Sequence, residues 1–202
     1  EFANERRLTA DQIAAIQQWV AQGCVEGASA DLPPLPTWTE DWKLGPPDLI
    51  LKMPEPYALE AEGPDVYRNF AIPVPLAAAR FVEAVEFRPG NPKIVHHAFI
   101  KVDRSGESRR FDTEDPELGF SFMLTPTGAQ IPEGHFLGWA PGQVPAKEPR
   151  GWSWPLHPGT DVVVQLHLRR SGKRETIQSE VGIFFTDEAP TQTPFKLSLT
   201  SR

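Results

Sequence analysis

The residues best suited to chemistry in this 202-residue chain are its five histidines, His96, His97, His135, His157 and His167. Two are adjacent in Ile94-Val95-His96-His97-Ala98-Phe99-Ile100, and another sits in Val164-Gln165-Leu166-His167-Leu168. Neutral imidazole is a good ligand for copper or zinc, and three imidazoles can hold one ion. Neighbours on a regular strand point to opposite faces, so His96 and His97 share a metal only where their strand twists, bulges or ends. Spacing alone leaves two arrangements open: a His96, His97, His167 metal site, or one histidine in the core with the others solvated.

Other chemistry-bearing residues have plainer readings. His135 lies in the Gly- and Pro-containing Pro132-Glu133-Gly134-His135-Phe136 and is expected at the surface, with a substitute ligand or a neighbour of the ligands as alternatives. His157 precedes Pro158-Gly159 and reads as a turn residue. Asp112, Glu114, Asp115 and Glu117 form an acidic cluster without the Asp-x-Asp-x-Asp-Gly order of a calcium loop, which predicts a solvated loop. Trp139, Trp152 and Trp154 could line a groove but are expected to pack. Cys24 is the single cysteine, so the chain can build no internal disulfide, four-thiolate zinc site or Cys-x-x-Cys-His haem attachment.

The elements that must position these residues follow from composition and periodicity. Proline is 22 of 202 residues, spread so that long helices are interrupted and a helical bundle is excluded. Twelve Phe and six Trp supply a real core. Ile13, Ile16, Trp19 and Val20 make an apolar stripe at helical spacing, with Thr9 and Gln12 as a capping box and Gly23 as the stop. Gly27 to Pro47 reads as an extended, proline-rich strap anchored by Trp38 and Trp42. The chain therefore divides into a helix and strap at 1–47 and a main domain at 48–202.

In the main domain, Leu49 to Met53, Val66 to Ile72, Phe81 to Arg88, Ile94 to Val102, Val162 to Leu168 and Val181 to Phe185 read as strands of an all-β, antiparallel β-sandwich. Val162, Val164, Leu166 and Leu168 form its apolar face, so Gln165 and His167 are expected to point outward. A net charge of -7 disfavours nucleic acid and anionic membranes as partners. No apolar run approaches the roughly 20 residues of a membrane span.

Val66-Tyr67-Arg68-Asn69-Phe70, Ala84-Val85-Glu86-Phe87-Arg88-Pro89-Gly90-Asn91, Val95-His96-His97-Ala98, Gly138-Trp139-Ala140-Pro141-Gly142 and Val164-Gln165-Leu166-His167 together resemble bacterial members of the copper type II, ascorbate-dependent monooxygenases. The resemblance covers roughly Trp42 to Thr186. It implies a jelly-roll domain that holds one copper ion through His96, His97 and His167 and transfers electrons, in a periplasmic or extracytoplasmic bacterial protein. The family's second, oxygen-activating copper uses His-x-His and a methionine. This chain has no His-x-His and only Met53 and Met123, so it is expected to be inactive alone.

The N-terminal Leu-Thr-x-x-x-Ile-x-x-Ile-x-x-Trp-Val-x-x-Gly is similar to the last helix of a bacterial c-type cytochrome, although this chain can attach no haem. A start without methionine suggests a processed or excised segment. The expected partners are a second copper domain or a larger assembly, met through the helix and strap. The alternative is a metal-free scaffold or accessory subunit.

Overall fold

The computed structural model describes residues 7–35, 41–121 and 128–195, and forms two compact units, Glu1–Thr39 and Glu40–Arg202. Pro36 and the proposed anchor Trp38 lie outside the described residues.

In the first unit, α1 spans Ala10–Ala21. Its start is the expected capping box: Gln12 N donates to Thr9 Oγ1 at 3.2 Å and Thr9 N donates to Gln12 Oε1 at 2.8 Å. Its end is a Schellman turn, in which Gly23 N donates to Val20 O and Cys24 N to Trp19 O, both at 3.0 Å. Gly23 takes the left-handed conformation that this turn requires, at φ +85°. No residue of α1 is buried, and Ile13, Ile16, Trp19 and Val20 are exposed.

The second unit is mostly β-structure. Its strands are β1 (Leu49–Lys52), β2 (Tyr57–Leu59), β3 (Val66–Pro73), β4 (Arg80–Arg88), β5 (Val95–Asp103), β6 (Leu137–Trp139), β7 (Trp154–Leu156), β8 (Asp161–Leu168), β9 (Glu175–Ile177) and β10 (Glu180–Thr186). One sheet runs β1-β10-β4-β7, another β3-β8-β5-β6, and β2 pairs with β9. Every pairing is antiparallel. The six expected strands are present within a residue or so at each end, and β2, β6, β7 and β9 are three-residue additions too short to carry a period. Leu51, Val82, Phe87 and Ile183 from the first sheet join Phe70, Ile100, Val164 and Leu166 from the second in one apolar core.

Three expectations need correction. The outer face of β8 is covered as well as the inner, so all eight of its residues are buried. Val163 packs with Phe120 and Ala129, and Gln165 Nε2 donates to Asn69 Oδ1 at 3.0 Å. Alternation shows which residues share a face, not whether that face is covered. The acidic cluster is only in part the solvated loop expected: Glu114 and Glu117 are exposed, but Asp112 and Glu114 lie in a helix, α2 (Glu107–Glu114), and Asp112 and Asp115 are engaged with β3. Asp112 Oδ2 accepts the Ala71 amide at 3.0 Å, and Asp115 Oδ1 pairs at 2.6 Å with the buried Arg68 guanidinium. These carboxylates close the edge of β3 and neutralise a buried cation. His135, expected at the surface, is buried, as described below.

The stretch before β1 packs within the second unit. The Trp42 ring fills the space that a side chain at Gly182 would need, and Lys43 N and Leu44 N donate to the buried Glu86 carboxylate at 2.9 and 3.1 Å. Trp154 is buried, Trp152 is half-buried, and half-buried Trp139 packs on Phe87 with ring centroids 5.3 Å apart, the packing roles expected of them.

The turn from β5 into α2 depends on Asp103, which is fully buried and accepts Ser105 N, Ser105 Oγ and Ser108 N at 2.7, 2.6 and 2.7 Å. Burial acts to raise its pKa, but the hydrogen bonds from Ser105 and Ser108 outweigh it and hold the carboxyl below its ordinary value of 3.8. A depressed folded value stabilises the fold in full above the unfolded value and is lost as pH falls through the folded one. Asp103→Asn should therefore cost about 0.5–2 kcal/mol at neutral pH, the scale of a lost helix cap. Urea unfolding from neutral pH to below 3.8 should show the gap between wild type and variant closing on acidification.

Candidate metal centre

His96 and His97 are brought together by a fault in the ladder between β5 and β8. Val95 opposes Leu168, and the next pair is His97 opposite His167, so β5 advances two residues while β8 advances one. His96 is the extra residue of a β-bulge, which breaks the alternation that would send the two side chains to opposite faces. The bulge is held from below by Ile94, Val95 and Leu168, all in the core, and Arg169 N donates to Ile94 O at 2.8 Å.

The three rings converge through their Nδ1 atoms. His96 Nδ1 lies 3.1 Å from His97 Nδ1, which lies 3.4 Å from His167 Nδ1. The ring centroids of His96–His97, His96–His167 and His97–His167 are 5.3, 4.8 and 4.8 Å apart, and the three donor atoms lie within 4.8 Å of one another. Nitrogens bound tetrahedrally at about 2.0–2.1 Å from a common ion would be roughly 3.3 Å apart. His96, His97 and His167 therefore form a group that could hold a metal ion, and among the described residues it is the group of this kind.

The surroundings grade from wet to dry. His96 is exposed, His97 half-buried and His167 8% exposed, so the group opens to solvent at His96 and is not the fully exposed site expected from the strand pattern. Tyr67, the partner of His167 across β3 and β8, stacks on its ring at 4.3 Å and 10°. Asp65, just before β3, has Oδ2 2.8 Å from His167 Nε2. His97 meets Phe99 edge-on at 5.1 Å, and Phe99 meets the exposed Phe136 at 5.6 Å. Burial, then the charges that His167 and His96 would carry, lower the pKa of His97 and favour the neutral ring that a metal needs.

The remaining candidates stand apart. His135 is 4% exposed, with Nδ1 3.1 Å from Glu148 Oε1, while its enclosed Nε2 has no hydrogen-bond partner among the described residues. His135 and Pro194 line one small cavity, and the Pro194 carbonyl oxygen occupies the place of a side chain at Gly134. His157 is half-buried just before a turn, and Cys24 is exposed. From sequence, neither Asp65 nor Tyr67 is assigned a site role; the strand register brings Tyr67 opposite His167, and Asp65 reaches the ring from just before β3.

No known protein family, curated protein or solved structure matches the chain. The site is thus defined by its own residues, and their substitution tests it. His96→Ala, His97→Ala and His167→Ala should each weaken binding of zinc or copper by more than about 100-fold, beyond the 10–100-fold typical of residues that only support a ligand. His96 is exposed, so His96→Ala should leave unfolding within about 0.5 kcal/mol of wild type and separate binding from folding. Metal titration by calorimetry, paired with urea unfolding, measures both.

Proposed function

We propose that this chain is a copper-binding electron-transfer domain of a monooxygenase-like protein, built on a β-sandwich of jelly-roll type. The observation that carries the proposal is the convergence of three imidazole Nδ1 atoms at the β5 bulge. An all-imidazole donor set suits copper or zinc, and the motif resemblance favours copper. Bound copper would supply one-electron chemistry by cycling between Cu(I) and Cu(II). His96, His97 and His167 would hold it, the bulge would fix their spacing, and Tyr67 would keep water from the buried side. Sheet-borne ligands are well suited to this task, because packed strands hold their geometry while the ion changes charge.

In this proposal the chain supplies an electron to chemistry performed elsewhere, on a second copper domain or larger assembly in an extracytoplasmic compartment. Met53, a methionine that could in principle serve an oxygen-activating copper, is buried with Sδ accepting Ser179 N at 3.2 Å. The chain alone is accordingly proposed to be inactive as a hydroxylase. A second reading, a scaffold or accessory subunit with incidental metal binding, is favoured by the exposed apolar residues of α1, which suit a docking surface.

Dialysis of the purified chain against copper near neutral pH, followed by metal analysis, should give about one ion per chain. The loaded protein should pass reversibly between Cu(II), visible by electron paramagnetic resonance, and silent Cu(I) on addition of ascorbate. Product analysis with oxygen and peptidylglycine or phenethylamine substrates should find no hydroxylation. A stable chain that retains no copper would favour the scaffold.

A further inference from the structure

The hydrogen bond between His167 and Asp65 gives the site a device that the three ligands lack. A neutral imidazole carries one N–H, and a ring binds metal through the nitrogen without it. Among the rings of the group, His167 has its second nitrogen on a carboxylate, with Nε2 2.8 Å from Asp65 Oδ2. A carboxylate only accepts, so Nε2 donates the proton and Nδ1, facing His97, keeps its lone pair.

Asp65 is itself held in place. The loop that carries it is gripped by Arg170, three residues beyond His167: Nε donates to Pro64 O at 2.9 Å and Nη1 to Glu60 O at 2.6 Å. The guanidinium fills the space beside Gly63, which has φ +121° and whose Cβ would lie 3.1 Å from Arg170 Nε. The end of β8 and the two residues after it therefore supply both the ring, His167, and the clamp that fixes its hydrogen-bond acceptor, Arg170.

Resting on the metal-binding reading above, we infer that Asp65 is a positioning residue: it locks His167 in the Nε2–H tautomer, aims Nδ1 at the metal position and strengthens that nitrogen as a donor to a divalent ion. Tyr67 holds the ring plane by stacking, and Asp65 fixes rotation within that plane. Carboxylate partners of this kind typically contribute 10–100-fold to metal affinity.

The test compares wild type, Asp65→Ala and Asp65→Asn, with zinc alone and copper alone as probes. Asp65 is about half exposed, so the variants should fold. Nitrogen-15 NMR of the metal-free wild type should show His167 as the Nε2–H tautomer; this readout needs neither metal nor a variant. Asp65→Ala should give a mixture of tautomers and a 10–100-fold loss of affinity for both ions. Asp65→Asn, whose carbonyl oxygen still accepts the hydrogen bond but carries no charge, should keep the tautomer and recover part of the affinity.

An Nδ1–H tautomer in wild type, or Asp65→Ala binding both ions within twofold of wild type, overturns the role of Asp65 and leaves the metal site standing. Wild type binding neither ion, with His167 still Nε2–H, overturns the metal site and Asp65's role with it.

Discussion

The structure turns on one extra residue in β5. With an unbroken ladder, His96 and His97 would lie on opposite faces of a two-layered unit, one toward the core and one toward the outer face. The bulge gathers both with His167, the Nδ1 atoms lying 3.1 Å apart between His96 and His97 and 3.4 Å apart between His97 and His167. A bulge forfeits regular pairing, so surrounding contacts must hold it. Ile94, Val95 and Leu168 anchor it in the core, and the Arg169 amide finds its acceptor on Ile94. A fixed kink between buried residues spaces ligands more accurately than a loop, because it gains little freedom when the ion is absent.

From that kink outward, the face shared by β3, β8 and β5 is a polar and aromatic layer above an apolar core. Along β3 and β8, Tyr67 lies opposite His167 and Asn69 opposite Gln165, so stacking and an amide hydrogen bond repeat the same cross-strand pairing. Arg68 alternates to the other side, where Asp115 and the carbonyls of Leu118 and Gly119 neutralise and satisfy it. The segment that supplies those carbonyls also pairs Phe120 with Asn69, covering the edge of β3. The ring that holds the buried side of the site thus belongs to a strand enclosed on both faces and flanked on both edges.

Much of this was legible in the sequence. Runs of β-branched and aromatic residues bounded by turn chemistry located six strands, and Thr9 with Gln12 located α1. The pairing of His96 with His97 was legible only as a condition, because no glycine or proline marks the bulge and its cause lies in the register against β8. Asp65 was invisible because it stands 102 residues from the ring it holds. The acidic run 112–117 misled because partners that give it structure, Ala71 and Arg68, lie on another strand. His135 misled because a Gly- and Pro-containing segment reads as surface, although the ring is buried and meets Glu148, 13 residues along the chain.

The central claim is geometric: three imidazoles on two adjacent strands share one ion because β5 bulges at His96. X-ray absorption at the copper edge, on chain loaded with no more than one equivalent, measures it directly. A shell of three histidine nitrogens at about 2 Å, with the multiple-scattering pattern of imidazole, is expected in both oxidation states. A shell of oxygens with one imidazole or none would contradict it.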